Sequence, residues 1–351
     1  MLVAPAAALA AALVAGVAAA VAGASAGAAL LVAVAVALLA GLQVLTILHL
    51  RRLRRRVDQV ARQLPAGTGK GTAGTAGTAG TAGTAGTAGS AAVKPEDVMR
   101  WRGRLPLPPD RLRFMREDDD TFIGYGNSLV DLMRTHGFGT DSDLLDIGCG
   151  YGKLAVGLLA KGDYVGSYLG FDILPKHVGW CMATITPIDA RLRFAHIDVR
   201  SVRYNPKGAV DPVDVVFPTA DATFDYCALF SVFTHMDRRT VERYLNEIAR
   251  VLRPGGMAVS SWLLFDDDRL AAVVSDRATY PLTQLNDDGS RSMEAEDPLR
   301  AIGFPIDDVV AMATKAGLEV AAIERGGWPE GTAERSAGSG LQDLVILRRA
   351  A

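Results

Sequence analysis

The sequence predicts an α/β protein: a doubly wound, mostly parallel sheet with helices on its faces, carried behind an apolar N-terminal segment. Three observations lead there. From residue 143 onward, short apolar strand-like runs alternate with helix-like ones, the order that builds a parallel sheet. The first of those runs enters a turn with three glycines, Gly148-Cys149-Gly150-Tyr151-Gly152. Residues 1–50 hold no Lys, Arg, Asp or Glu at all, a stretch far longer than the roughly 18 apolar residues that suggest a membrane span.

The apolar segment comes first along the chain. As one straight helix it would be roughly 70 Å long, more than twice a hydrocarbon core of about 30 Å. A transmembrane helical hairpin therefore fits better than a single span, with its break at Gly23-Ala24-Ser25-Ala26-Gly27. No Lys or Arg precedes the run, which argues against a secretory signal. Arg51, Arg52, Arg54, Arg55 and Arg56 follow at once, and such a cluster belongs on the cytoplasmic face. The reading is a membrane-anchored protein with everything downstream of the arginines cytoplasmic. Leu50, Leu53, Val57, Val60 and Leu64 are spaced by threes and fours within the basic juxtamembrane stretch 51–64 and its edge. That spacing could pair two copies weakly through residues 50–64, although an amphipathic exit helix is the simpler reading.

Residues 65–92 are a Gly-Thr-Ala linker. Its composition makes it a flexible tether with a root-mean-square reach of about 30 Å. Gly67-Thr68-Gly69-Lys70 has a superficial likeness to a phosphate loop, but the spacing is not met and no strand precedes it.

The charge balance sharpens the picture. The 351 residues carry 37 basic and 39 acidic side chains, net −2. Residues 51–70 hold seven of the basic ones against Asp58 alone, which leaves residues 71–351 at −8. An acidic body argues against a general nucleic-acid binder. Three cysteines, Cys149, Cys181 and Cys227, exclude a disulfide scaffold and show no metal-type clustering, so no metal is expected.

The catalytic body starts with residues 93–142, a cap in which Leu105-Pro106-Leu107-Pro108-Pro109 makes a stiff entry and Phe122–His136 reads as a helix. Residues 143–351 form the sheet domain. Asp143–Gly148 is its first strand, and Lys153–Ala160 the helix after the glycine turn. Glycines there let a backbone approach a ligand closely, and the helix start points free N–H groups at the same place. A tight strand-to-helix connection would need the same glycines. Tyr168–Ile173 is a second strand ending in Asp172, about 20 residues on, where an acid can accept both ribose hydroxyls. Arg193–Val199 is a third strand with Asp198 at its end, and Phe224–Val232 a fourth. The next helix buries Val241, Tyr244, Leu245 and Ile248 behind an Asp237 N-cap and stops at Arg253-Pro254-Gly255-Gly256. Met257–Phe265 is the fifth strand. Residues 266–300 are polar and, with Tyr280 and neighbouring Trp262, read as part of an acceptor side.

These stretches resemble the class I S-adenosylmethionine-dependent methyltransferases. The likeness is carried by residues 144–152 (Leu-Leu-Asp-Ile-Gly-Cys-Gly-Tyr-Gly), 170–173, 196–199, 231–236 and 248–256 (Ile-Ala-Arg-Val-Leu-Arg-Pro-Gly-Gly), in that order. It covers about residues 143–265. The resemblance implies a Rossmann-like sheet closed by an antiparallel C-terminal strand, here Leu318–Arg325 and Leu341–Arg349 after a helix over Ile306–Ala316. It also implies S-adenosylmethionine as cofactor, with Asp146, Gly148, Gly150 and Gly152 around the methionine part. Asp172 would hold the ribose, Ile173 would lie beside it, and Asp198 and Val199 would meet the adenine. Phe230 would line the methyl-donor pocket. His235 follows closely, either as the base that takes a proton from an attacking hydroxyl or, the favoured reading, as a packing or capping group.

The expected activity is methyl transfer to a small-molecule, sugar or lipid-linked acceptor, at oxygen rather than nitrogen or carbon. No Asn/Asp-Pro-Pro-Tyr/Phe follows the fourth strand, and Tyr204-Asn205-Pro206 does not replace it. Two other readings are weaker. An NAD-dependent oxidoreductase would want a third-turn glycine where Lys153 stands. A catalytically silent membrane-anchored binding module would not need acids at 146, 172 and 198.

Overall fold

The structure is a computed structural model and describes residues 99–101, 105–113, 117–329 and 341–350. The readings of residues 1–50, 51–64 and 65–92 lie outside the described residues. Among the described residues no helix is long and apolar enough to cross a membrane.

The cap begins with an antiparallel pair, β1 (Met99–Trp101) and β2 (Leu105–Leu107). Helix α1 (Asp119–Thr135) follows, its N-cap Asp118 accepting a hydrogen bond from the Thr121 amide at 2.7 Å. That cap sets the start of the helix three residues ahead of the apolar residue at which the sequence places it.

Strand β3 (Leu144–Ile147) is buried throughout and leads to α2 (Lys153–Lys161), β4 (Tyr168–Asp172), α3 (Pro175–Thr184) and β5 (Leu192–His196). The chain then crosses to the other side of β3 for β6 (Phe224–Leu229), α4 (Arg238–Val251) and β7 (Leu252–Trp262). Two further strands, β12 (Leu318–Glu324) and β13 (Asp343–Arg349), complete a seven-stranded sheet in the order β12-β13-β7-β6-β3-β4-β5. The strands from β7 to β5 are parallel, and β13 runs antiparallel to both β7 and β12. The predicted fold class holds in this domain.

Alternation along the strands divides the core into two layers. Leu144, Tyr226, Val259 and Ile346 face a cluster with α1, α2 and α3. Leu145, Cys227, Ala258 and Leu347 face the opposite one, where α4 packs with Val241, Leu245 and Ile248. Helix α6 (Ile306–Lys315) adds Val309 and Met312 to that second layer. Helices α1 and α2 approach backbone to backbone: a Cβ on Gly157 would lie 2.3 Å from the Gly126 carbonyl oxygen.

Among the boundaries that differ from the sequence reading, three bear on the site. Strand β5 ends at His196, and Val199 makes only an isolated bridge to Val210. Strand β6 ends at Leu229, two residues before Ser231 takes a left-handed φ of 58°. Strand β7 pairs with β6 from Leu252 onward, Arg253–Gly256 bulging opposite Asp225 alone. The Arg253 guanidinium clamps that bulge by donating to Asp225 at 2.6 Å and Asp143 at 2.8 Å.

The polar stretch after β7 is more ordered than its composition suggests. Together, β8 (Leu264–Phe265), β9 (Gln284–Leu285), β10 (Arg291–Ser292) and β11 (Ile302–Pro305) form a small sheet in the order β8-β11-β10-β9. One turn of helix, α5 (Leu270–Val273), packs over a small core of Leu263, Phe265, Val273, Leu282 and Trp328. Strands of two residues have no periodicity to read.

Candidate active site

The chain order reverses between β3 and β6, and a doubly wound sheet opens a crevice outside the carboxyl ends of its strands at such a point. A cleft of about 1100 Å³ lies there. Residues 148–151 of the glycine turn, the end of β4, residues 199–202 with Tyr204, the segment after β6 and Gln342 all line it.

Asp146 and Asp172 end neighbouring strands and both are buried. Asp146 Oδ2 accepts the Tyr168 hydroxyl at 2.7 Å. Burial raises the Asp146 pKa, the Tyr168 hydrogen bond opposes the rise, and the Asp172 charge adds to it, leaving the carboxyl at about 7. Asp172 Oδ2 accepts the Gly150 amide at 2.8 Å and Oδ1 accepts the Leu174 amide at 2.9 Å. Burial pushes its pKa up in spite of those bonds.

The three glycines of the turn have separate reasons to be glycine. At Gly148 a Cβ would meet Val232 Cγ2 at 2.6 Å, and at Gly150 it would meet nothing within 4 Å. Both line the cleft. Gly152 does not: its Cβ would strike Ile185 Cδ1 at 2.6 Å and Cys181 Sγ at 3.0 Å, so it is a packing requirement beneath the start of α2. Ile173, Val199 and Phe230 line the cleft.

Asp198 is placed differently from its reading. Because β5 stops at His196, Asp198 sits in the following loop, exposed, where its Oδ1 accepts from Asn205 Nδ2 at 3.0 Å. That hydrogen bond holds its carboxyl below the ordinary value, and it does not line the cleft. Trp262 is likewise not on the acceptor side: it is fully buried, 4.3 Å from the Phe233 ring. Tyr125 and Tyr280 do reach the cleft.

His235 closes a single turn of 3-10 helix, Phe233–His235, and lines the cleft. Its Nδ1 lies 3.1 Å from the Leu299 carbonyl oxygen. A carbonyl only accepts, so Nδ1 carries the proton and Nε2 is the basic nitrogen. Its ring meets Tyr204 edge-on at 5.6 Å. Burial depresses its pKa below the ordinary histidine value, which favours the neutral imidazole.

Two groups were not legible beforehand. Ser231 donates its amide to Ser261 Oγ at 2.7 Å and its hydroxyl to Gln342 Oε1 at 3.1 Å, while Ser261 Oγ donates to the same Gln342 oxygen at 2.7 Å. All three residues line the cleft, and nothing in the sequence links residues from three distant segments. Lys153 also lines the cleft, its ammonium 3.0 Å from Glu117 Oε1 and 4.7 Å above the Tyr125 ring. The only sequence signal was that Lys153 stood where a dinucleotide site would have glycine.

The family model described as a methyltransferase domain matches residues 144–256. Residues 144–256 are thus a methyltransferase domain, and the chain is an enzyme of that kind. Its cofactor is S-adenosylmethionine. The match spans the glycine turn, both buried acids and the Arg253-Pro254-Gly255-Gly256 bulge. The methyltransferase is also similar to three solved structures. One is an S-adenosylmethionine-dependent methyltransferase from Methanosarcina mazei, 19% identical over 62% of this chain and 97% of that one, TM-score 0.41. The second is the 1,6-didemethyltoxoflavin-N1-methyltransferase of Burkholderia thailandensis, 16% identical over 66% and 80%, TM-score 0.40, with 1,6-didemethyltoxoflavin and S-adenosylhomocysteine bound. The third is a methyltransferase of Haloferax volcanii described as putative, solved with the Trm112 activator, 16% identical over 66% and 95%, TM-score 0.43.

Proposed function

We propose that this methyltransferase is membrane-anchored, with its catalytic domain on the cytoplasmic side, and methylates an oxygen of a small-molecule, sugar or lipid-linked acceptor. The observation that carries the oxygen assignment is His235, a residue of the cleft wall whose Nδ1 hydrogen-bonds the Leu299 carbonyl and so leaves Nε2 as its basic nitrogen. A hydroxyl acceptor has a proton to lose, and a positioned neutral imidazole can take it. The anchor rests on the uncharged residues 1–50 followed by the arginine cluster.

The residues present suit the cofactor. Each Asp172 oxygen accepts one backbone N–H, and a carboxylate oxygen has a second lone pair to offer a ribose hydroxyl. Gly148 and Gly150 present bare backbone to the cleft beside Asp146, for the methionine part. Ile173 and Val199 supply apolar walls for the adenine, and Phe230 borders the donor pocket. Gly152 and Asp198 stand outside this set, since neither lines the cleft. At about 1100 Å³ the cleft exceeds the ~300–1,000 Å³ usual for one ligand, which favours room for donor and acceptor together.

S-adenosylmethionine, when bound, supplies a methyl group on a sulfonium, a leaving group that needs no acid. The protein's part is therefore mainly orientation. Tyr204, Tyr280 and Leu299 would hold the acceptor, with His235 removing its proton.

The test is methyl-labelled S-adenosylmethionine with the full chain and a panel of hydroxylated small molecules, sugars and membrane lipids. The expected outcome is an O-methyl product, slowed about a hundredfold by H235Q, the low end for a positioned base. Label on nitrogen or carbon, or an undiminished H235Q, overturns the oxygen reading. A C-terminal reporter found outside the membrane overturns the topology.

A further inference from the structure

A lysine at the start of α2 is held in an unusual setting for a surface charge. Lys153 is the first residue of that helix, directly after the glycine turn. Its ammonium has Glu117 Oε1 at 3.0 Å and stands 4.7, 5.7 and 5.8 Å from the centroids of the Tyr125, Tyr151 and Phe122 rings. Aromatic faces within about 6 Å attract a cation and fix its position. The Glu117 side chain is only 3% exposed. Its Oε1 also accepts the Tyr151 hydroxyl at 3.0 Å, while its buried Oε2 meets no donor from another residue. A buried carboxylate of that kind holds the ammonium beside it in place.

An ammonium has three donors, and Glu117 engages one of them. The Lys153 side chain is 21% exposed, and the residue lines the cleft together with Tyr125 and Tyr151. The cleft is thus electrically two-ended along the glycine turn. Asp172 at the end of β4 makes the ribose end acidic, and Lys153, reinforced by the N-terminal end of α2, makes the other basic. A ligand with a diol and a carboxylate at opposite ends matches that polarity.

We propose that Lys153 binds the carboxylate of the cofactor's amino-acid end, with Glu117 as the positioning residue that holds the lysine for it. This rests on S-adenosylmethionine occupying the cleft with its ribose at Asp172. It makes the protein discriminate between the complete cofactor skeleton and the truncated nucleoside, and it gives the Lys153–Glu117 pair a purpose beyond joining the cap to α2.

The experiment is calorimetric titration of the full chain with two probes, S-adenosylhomocysteine and 5′-methylthioadenosine, which share the thionucleoside but differ in the amino-acid end. The wild-type chain is expected to bind S-adenosylhomocysteine at least about tenfold more tightly, the scale of one hydrogen bond between charged groups. K153M should remove most of that preference by weakening S-adenosylhomocysteine alone, leaving 5′-methylthioadenosine within about threefold. K153R should restore much of it. Equal wild-type affinity for the two probes overturns the proposal without any variant. An equal loss of both in a folded K153M overturns it too, since that is the signature of a structural staple. Binding of neither probe by the wild-type chain overturns the cofactor placement itself, and the clamp with it.

Discussion

The Gly150 amide donates to Asp172 Oδ2 at 2.8 Å, so the turn after β3 and the acid that ends β4 form one hydrogen-bonded unit. Asp172 therefore shapes the turn as well as offering acceptors to a ligand. D172A should weaken S-adenosylhomocysteine binding by roughly 1–3 kcal/mol, the scale for hydrogen bonds to a charged group. It should also lower the melting temperature, because the Gly150 and Leu174 amides lose their acceptor. Unchanged affinity in calorimetry would remove Asp172 from the site.

The glycines of the same turn should respond differently to alanine. G152A forces a Cβ against Ile185 and Cys181, and overpacking of this kind costs about 1–3 kcal/mol. The loss should appear in denaturant unfolding, with ligand affinity of the folded chain little changed. G150A meets no atom within 4 Å, yet its methyl group would stand on the cleft wall in a left-handed backbone at φ 53°. Ligand affinity should fall more in G150A than in G152A.

Burial depresses the pKa of His235 and of His177 from the ordinary 6.5. The unfolded chain then binds protons that the folded chain refuses in the window just below that value. The histidine contribution to stability falls as pH drops through the window and levels off above it, whereas Asp146, raised to about 7 by burial, contributes in the opposite sense there. The His235 part is read as the difference in melting temperature between wild type and H235Q from about pH 5 to 8, where histidine titrates, and wild type should lose more stability than H235Q as pH drops. A slope identical in H235Q would assign the effect elsewhere.

Asp343 holds the small sheet to the large one. It is fully buried and accepts from Arg269 at 3.0 Å, Trp328 Nε1 at 2.7 Å and the amides of Leu264 and Gly326 at 2.7 and 2.8 Å. D343A leaves the Arg269 charge and three other donors without this acceptor, a loss of about 3–5 kcal/mol for a broken buried pair. The denaturant midpoint should drop accordingly. A midpoint close to wild type would mean that the pair is dispensable.

Much of this arrangement was legible in the chain. Leu144–Ile147, Tyr168–Asp172 and Phe224–Leu229 are short apolar runs with sharp ends, and a parallel sheet buried on both faces leaves that mark. Asp146 and Asp172 could be placed because they lie at or beside a strand end followed by a turn. Asp198 was misplaced since β5 stops two residues earlier, and the Asn205 side chain that captures it belongs to a loop without periodic pattern. The small sheet escaped notice because its strands are too short to alternate. The Lys153–Glu117 pair and the Ser231–Ser261–Gln342 network join segments far apart in sequence, and composition and spacing carry no signal for side chains that meet only after folding.

Strand β13 lies between β7 and β12, its Leu344–Leu347 paired with Ser261–Ala258. An interior slot of the sheet is thus filled by a segment translated long after its neighbour β7. While the nascent chain still lacks residues 343–349, β7 presents an open apolar edge, and such edges invite association with other chains. Quality control during synthesis therefore bears most heavily on this one late strand. Substitutions at Val345 or Ile346 should show themselves as poor yield from translation more than as altered turnover in the molecules that mature.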